Sequence, residues 1–139
     1  MESDREYAIA AMDALASMQF VEESLRMYLI RVYALVRKRL NDDVGFSLDY
    51  PDVEKDSLGT LIGKFQTHSN SEGLIQTLMS LPRERNFLAH ESFLLREEQY
   101  KNSSHLDALH ERAKKAKARA DKCFREVLVE VARLDSLLK

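Results

Sequence analysis

The first forty residues contain no glycine and no proline. Within them Tyr7, Ala11, Leu15, Met18, Val21, Leu25, Tyr28, Val32, Leu35 and Leu40 recur mostly at three- and four-residue steps. That is the period of one helix face, not of a strand. Ser3 and Glu6 supply a capping box at the start, each side chain reaching the other's backbone amide. Unbroken, the run makes a rod of roughly 55 Å. A globule of 139 residues has a radius of gyration of only about 14 Å. A rod of that length needs something along its side, either another long helix of the same chain or a second copy.

The last third of the chain supplies a match. Leu106, Leu109, Ala113, Ala116, Ala120, Cys123, Val127, Val131, Leu134 and Leu138 repeat the same period from about His105 onward. Between the two rods, Asn41 to Asp56 is rich in turn formers, with Asp42-Asp43, Gly45 and Tyr50-Pro51-Asp52. A short helix follows from about Ser57 to His68, with Leu58, Leu61, Ile62 and Phe65 as its apolar stripe. Gly59 and Gly63, four apart, are read as a site of close helix packing. Helix resumes near Leu74, Pro82 marks a kink or a fresh start, and a further helix runs from Arg83 to about Tyr100. Lys101 to Ser104 is the next break. The expected fold is all-α, one domain over residues 1–139, an elongated four- to five-helix bundle with the long first and last helices antiparallel.

Composition agrees. The chain is 45% hydrophobic and 32% charged, with four Gly and two Pro, which favours long helices over sheets. A formal charge of −2 rules out bulk positive charge as a basis for nucleic-acid binding, but not a local patch. The single cysteine, Cys123, excludes an internal disulfide and a cysteine-rich zinc site. Its phase in the last helix reads as a small buried hydrophobe, and Met12, Met18, Met27 and Met79 read as core filler. No run approaches the roughly 20 apolar residues of a membrane span, and the charged start lacks an apolar leader core. A cytoplasmic location is expected.

Chemistry concentrates in Arg85-Asn86-Phe87-Leu88-Ala89-His90. Asn86 and His90 are four apart and share a helix face. Arg85 and His90 project about 140° apart, but arginine is long enough to bend toward the same opening. A permanent cation, an amide and an imidazole are what a phosphodiester site needs without a metal. Arginine grips phosphate with two parallel hydrogen bonds, and histidine exchanges protons near neutral pH. The alternative reading is structural: His90 packs on a neighbouring helix and Arg85 pairs with a carboxylate such as Glu84 or Glu91.

The string resembles the Arg-x4-6-His motif of the HEPN domain family, in which a polar residue often follows the arginine. Leu58-Gly59-Thr60-Leu61-Ile62 also resembles the entry to the short helix of several such proteins. The chain's length and the motif's place before the last long helix fit the family's layout. The resemblance implies a metal-independent endoribonuclease, a toxin or antiviral effector held by an antitoxin protein, acting as a homodimer whose two motifs form one cleft. It assigns proton transfer to His90, phosphate binding to Arg85 and orientation to Asn86. One departure concerns control: HEPN toxins paired with minimal nucleotidyltransferases often carry tyrosine two residues past the histidine, and this chain has Ser92. Other members of the family are non-catalytic binding or assembly modules, which is the competing expectation here.

A second signal is basic. Lys114, Lys115, Lys117, Arg119 and Lys122 crowd the last helix and suit an RNA backbone. They equally suit a solvated face with pairs such as Lys117 with Asp121. No tryptophan is present to serve as a stacking platform. No metal and no cofactor are expected: His90-Glu91 lacks the second histidine of a zinc-protease helix. His105 and His110 read as exposed helix residues.

Overall fold

The computed structural model describes residues 2–40, 44–94 and 103–139, with side chains for 5–40, 44–91 and 105–139. Five α-helices account for most of them: α1 Glu2–Arg39, α2 Leu58–His68, α3 Glu72–Met79, α4 Leu81–Leu94 and α5 Ser103–Leu138. A 3-10 turn at Tyr50–Asp52 interrupts the loop before α2. α1 is already helical at Glu2, so Ser3 lies inside the helix and not at its cap as expected; the stretch 95–102 lies outside the described residues. The last rod begins slightly earlier than its apolar period indicates, with Ser103 and Ser104 already helical.

The apolar phases of the two rods form the centre. Tyr7, Ala11, Ala14, Met18, Val21, Leu25 and Leu29 of α1 are buried, as are Leu109, Ala113, Ala116, Ala120, Cys123, Val127 and Val131 of α5. The two rods run parallel, not antiparallel. Phe20 meets Phe124 with ring centroids 5.8 Å apart. Arg31 Nε donates to Asp135 Oδ1 at 2.9 Å, and Lys38 Nζ to the Leu138 carbonyl at 2.7 Å. The position along α5 rises with the position along α1 in every pair.

Two physical causes explain the parallel packing. First, the return leg is made by other elements. Arg119 reaches Ser80 and Arg112 reaches Glu84, so the chain descends past α5 through α3 and α4 and then climbs again. Second, the rods carry opposed charge gradients. Residues 2–19 of α1 carry −3 (Glu2, Asp4, Glu6 and Asp13 against Arg5), whereas 103–120 of α5 carry +3. The later halves carry +3 and −1 respectively. Only the parallel arrangement sets the acidic start beside the basic start.

α2 buries Leu58, Leu61, Ile62 and Phe65 as its stripe requires. Tyr28 closes over it, its ring 4.7 Å from Phe65 and its hydroxyl donating to the His68 carbonyl at 2.8 Å. Gly59 and Gly63 do not mark close packing. Both are exposed, and a Cβ at either meets nothing within 4 Å. They sit opposite the apolar stripe, so no neighbouring helix approaches them.

The break between α3 and α4 follows from Pro82, which cannot donate the amide bond that would tie it to the Leu78 carbonyl. Ser80 caps α3 instead, its amide on Thr77 O at 3.2 Å and its hydroxyl on the same oxygen at 2.7 Å. Pro82 then sits in the first turn of α4, where it costs little.

A candidate phosphate-binding face on α4

α4 is held to the bundle by Leu81 and Leu88, both fully buried. Its α5-facing side is pinned by a fork. Arg112 donates Nε to Glu84 Oε2 at 2.9 Å and Nη2 to Oε1 at 3.2 Å. The same guanidinium lies 3.3 Å over the Phe87 ring. One arginine thus uses both its edge and its flat face, which lysine cannot do.

The α1-facing side carries Arg85. Its Nη1 donates to Glu22 Oε1 at 2.6 Å. The Glu22 side chain is only 9% exposed, whereas that of Arg85 is 42% exposed. A buried carboxylate therefore fixes the base of a guanidinium whose remainder meets solvent. Glu22 is itself braced by Arg26, whose Nη2 lies 3.8 Å from Oε2. Arg26 in turn donates to the carbonyls of Val53 at 3.1 Å and Asp56 at 2.8 Å, and pairs with Glu23. The network runs from the α4 motif through α1 to the loop before α2.

Asn86 and His90 are exposed on the solvent side of α4, one turn apart. Among the described residues no hydrogen bond or ion pair joins Arg85 to either of them. The structural alternative is half met. Arg85 does pair with a carboxylate, but with Glu22 of α1 in place of the neighbouring Glu84 or Glu91, and His90 is not packed away. Glu91 has one carboxylate oxygen buried without a partner.

The basic residues of α5 divide between two faces. Lys115, Arg119 and Lys122 recur at four- and three-residue steps and are exposed on the side nearer α3 and α4, where Arg119 reaches Ser80 at 3.5 Å. Lys114 and Lys117 instead line a groove with Glu6, Ile9, Ala10 and Asp13 of α1. Lys117 also binds Asp121 at 2.6 Å, the helix pair the sequence offers. There burial raises the Asp121 pKa, but bonds from Lys117 and Ser17 together outweigh it and leave it lowered.

Cys123 is buried, and desolvation pushes its thiol up to about 11, which suits a packing residue and not a nucleophile. Met18 is core as expected, but Met12, Met27 and Met79 are exposed. Among the described residues no three His, Cys, Asp or Glu side chains are grouped to hold a metal ion, and no helix is long and apolar enough to cross a membrane.

Sequence reasoning missed Glu22. Its signal was present, because a carboxylate at a buried phase of α1, flanked by Val21 and Leu25, needs a cation from another element. No family model matches the chain, and no curated protein or solved structure matches it either.

Proposed function

We propose that the chain is a metal-independent endoribonuclease of HEPN type, with Arg85, Asn86 and His90 as its site. The observation that carries this reading is the asymmetry of Arg85. Its inner edge is fixed by a buried carboxylate while its outer part meets solvent, and Asn86 and His90 are exposed on the same helix. Such an arginine is pre-oriented, so little side-chain entropy is lost when it grips a phosphate. About 7.5 Å of helix rise and about 140° separate Arg85 from His90, with Asn86 between them in angle. An RNA strand laid across α4 meets all three.

In this reading neutral His90 removes the proton of a ribose 2′-hydroxyl. The oxygen attacks the adjacent phosphorus, the bond to the 5′-oxygen breaks, and that oxygen takes up a proton from water as it leaves, while the His90 imidazolium later returns its proton to solvent. The products end in a 2′,3′-cyclic phosphate and a 5′-hydroxyl. Arg85 stabilises the extra negative charge on the phosphoryl oxygens, and Asn86 orients the phosphate or the imidazole. Lys115, Arg119 and Lys122 extend the cationic track on the neighbouring helix. The family resemblance further implies a homodimer with a shared cleft and an antitoxin protein as controller.

The test is cleavage of a mixed RNA pool in the presence of EDTA. Wild type is expected to cut, and His90→Ala and Arg85→Ala each to lose on the order of 100-fold or more. No cleavage, or cleavage indifferent to both changes, removes the reading. A second reading, a non-catalytic RNA-binding or adaptor module, is favoured by the neutralisation of Arg85 by Glu22. It predicts RNA retention without cutting, weakened by Lys115→Ala and Lys122→Ala and unchanged by His90→Ala.

A further inference from the structure

A cavity of about 510 Å³ opens between the end of α2 and α3, apart from the α4 motif. Its size falls within the roughly 300–1,000 Å³ of small-ligand pockets. One wall is a face of α3: Glu72, Ile75, Gln76 and Met79 follow the three- and four-residue period. Gln66 of α2 and Asn70 of the turn close the other side. The whole chain has eight Asn and Gln residues, and three of them line this one cavity. A merely solvated groove in a chain that is 32% charged would carry several charges, whereas this one has Glu72 alone. Among the described residues no hydrogen bond or ion pair engages the three carboxamides or the Glu72 carboxylate. The turn between the walls is nevertheless tied down. The Tyr28 hydroxyl donates to the His68 carbonyl at 2.8 Å, the Ser71 amide to Ser69 Oγ at 3.2 Å, and the Glu72 amide to the Asn70 carbonyl at 3.0 Å. The frame is fixed and its polar side chains are open, which is what preorganised recognition requires.

We propose that this cavity takes one base of the RNA strand, adenine in preference to the others; the choice of a nucleobase rests on the RNA reading above. A carboxamide carries donors and an acceptor in one plane. Asn and Gln therefore meet adenine with two bonds, donating to a ring nitrogen and accepting from the exocyclic amine. Adenine offers that pairing on both its Watson–Crick and its Hoogsteen edge, so more than one carboxamide can engage it at once, whereas cytosine has a single such edge. Glu72 only accepts, so it too selects for an amine and against uracil. The O6 and N7 acceptors of guanine call for Arg or Lys, and neither lines the cavity. The same lack of a cation keeps phosphate out of it. Ile75 and Met79 supply an apolar surface for the flat face of the base, Met79 being 57% exposed. Ser80 follows Met79 and meets Arg119 at 3.5 Å, so the edge of the cavity adjoins the cationic track that would hold the flanking phosphate. The cavity selects which base is bound, and the α4 motif does the chemistry.

Nuclear magnetic resonance of the side-chain amide groups tests it with the full chain. The probes are the 5′-monophosphates of adenosine, cytidine, guanosine and uridine, with ribose 5-phosphate as the control for sugar and phosphate. Adenosine 5′-monophosphate is expected to move the Gln66, Asn70 and Gln76 signals along one saturation curve, and to bind about 10-fold or more tightly than the uridine compound. Gln76→Leu is expected to weaken it about 10-fold with an unchanged urea midpoint. Gln66→Leu, on the other wall, does the same should Gln76→Leu disturb α3. Glu72→Gln narrows the gap between adenine and uracil, because its amide can donate where the carboxylate cannot. Amide signals that ignore all four mononucleotides overturn the proposal. So does an equal response to ribose 5-phosphate, a preference for the guanosine or uridine compound, or adenosine 5′-monophosphate binding indifferent to both leucine variants. The cleavage reading fails separately: a chain that binds adenosine 5′-monophosphate here but cuts no RNA keeps the pocket and loses the nuclease, and a chain that cuts RNA while the pocket ignores mononucleotides does the reverse.

Discussion

Removal of the Glu22 carboxylate is the sharpest probe of how the site is built. Glu22→Ala deletes an acceptor 2.6 Å from Arg85 and 3.8 Å from Arg26. Stripping one partner from a fully buried pair costs about 3–5 kcal/mol. Here the loss is smaller. Arg85 is partly solvated and recovers hydration, and Arg26 keeps two carbonyls and Glu23. A loss of about 2 kcal/mol follows. For a domain of this size that lowers the melting temperature by roughly 6–10 °C. Urea unfolding followed by far-UV circular dichroism measures it. Arg85→Ala leaves the buried Glu22 carboxylate with Arg26 alone at 3.8 Å and is expected to cost about 1–2 kcal/mol, and the double variant to show a coupling near 1 kcal/mol. In the RNA assay Glu22→Ala lowers turnover through a mobile Arg85, and Glu22→Asp restores part of it. A cycle with no coupling, together with full stability of Glu22→Ala, refutes the view that α1 positions the α4 motif.

Other consequences follow from single contacts. Gly63→Ala adds a methyl to open space in a helix interior and is expected to stabilise by about 0.5–1 kcal/mol, read as a raised urea midpoint. Arg112→Lys loses both the fork to Glu84 and the stacking on Phe87 and is expected to cost about 1–2 kcal/mol, with α4 amides exchanging faster in hydrogen exchange. Cys123 is expected to resist thiol reagents at pH 8 until the chain unfolds. Because its thiol is raised in the folded state, the folded chain holds that proton longer. Its contribution to stability is complete below the ordinary thiol pKa and is lost as pH rises from about 9 toward 11. A Cys123→Ala variant should show a flatter stability profile across that range.

The elements were legible in the sequence because the signals are local. Period, capping and the Gly- and Pro-free run locate α1 and α5, and the α5 phases from Leu106 to Leu134 are buried as read. Direction was not legible from period, since an apolar stripe is the same in either sense. It lay in the charge halves of the two rods and in the length needed for a return leg through α3 and α4. The exposed methionines misled for the same reason: Met12 and Met27 share a helical period with one another, but on the exposed side of α1. At the site, the motif residues were visible by type and spacing. Their relation to Glu22 was not, because it joins residues 63 positions apart across two helices.

The most direct measurement of the central claim is nuclear magnetic resonance of the Arg85 and His90 side chains on titration with an RNA blocked by 2′-O-methylation. The blocked strand binds but cannot be cut, so it reports binding geometry alone. The Arg85 guanidinium and His90 imidazole signals are expected to shift together, with one common saturation curve, and to lose that response in Asn86→Ala. Shifts confined to the α5 lysines, or an imidazole that ignores the strand while Arg85 responds, contradict the account.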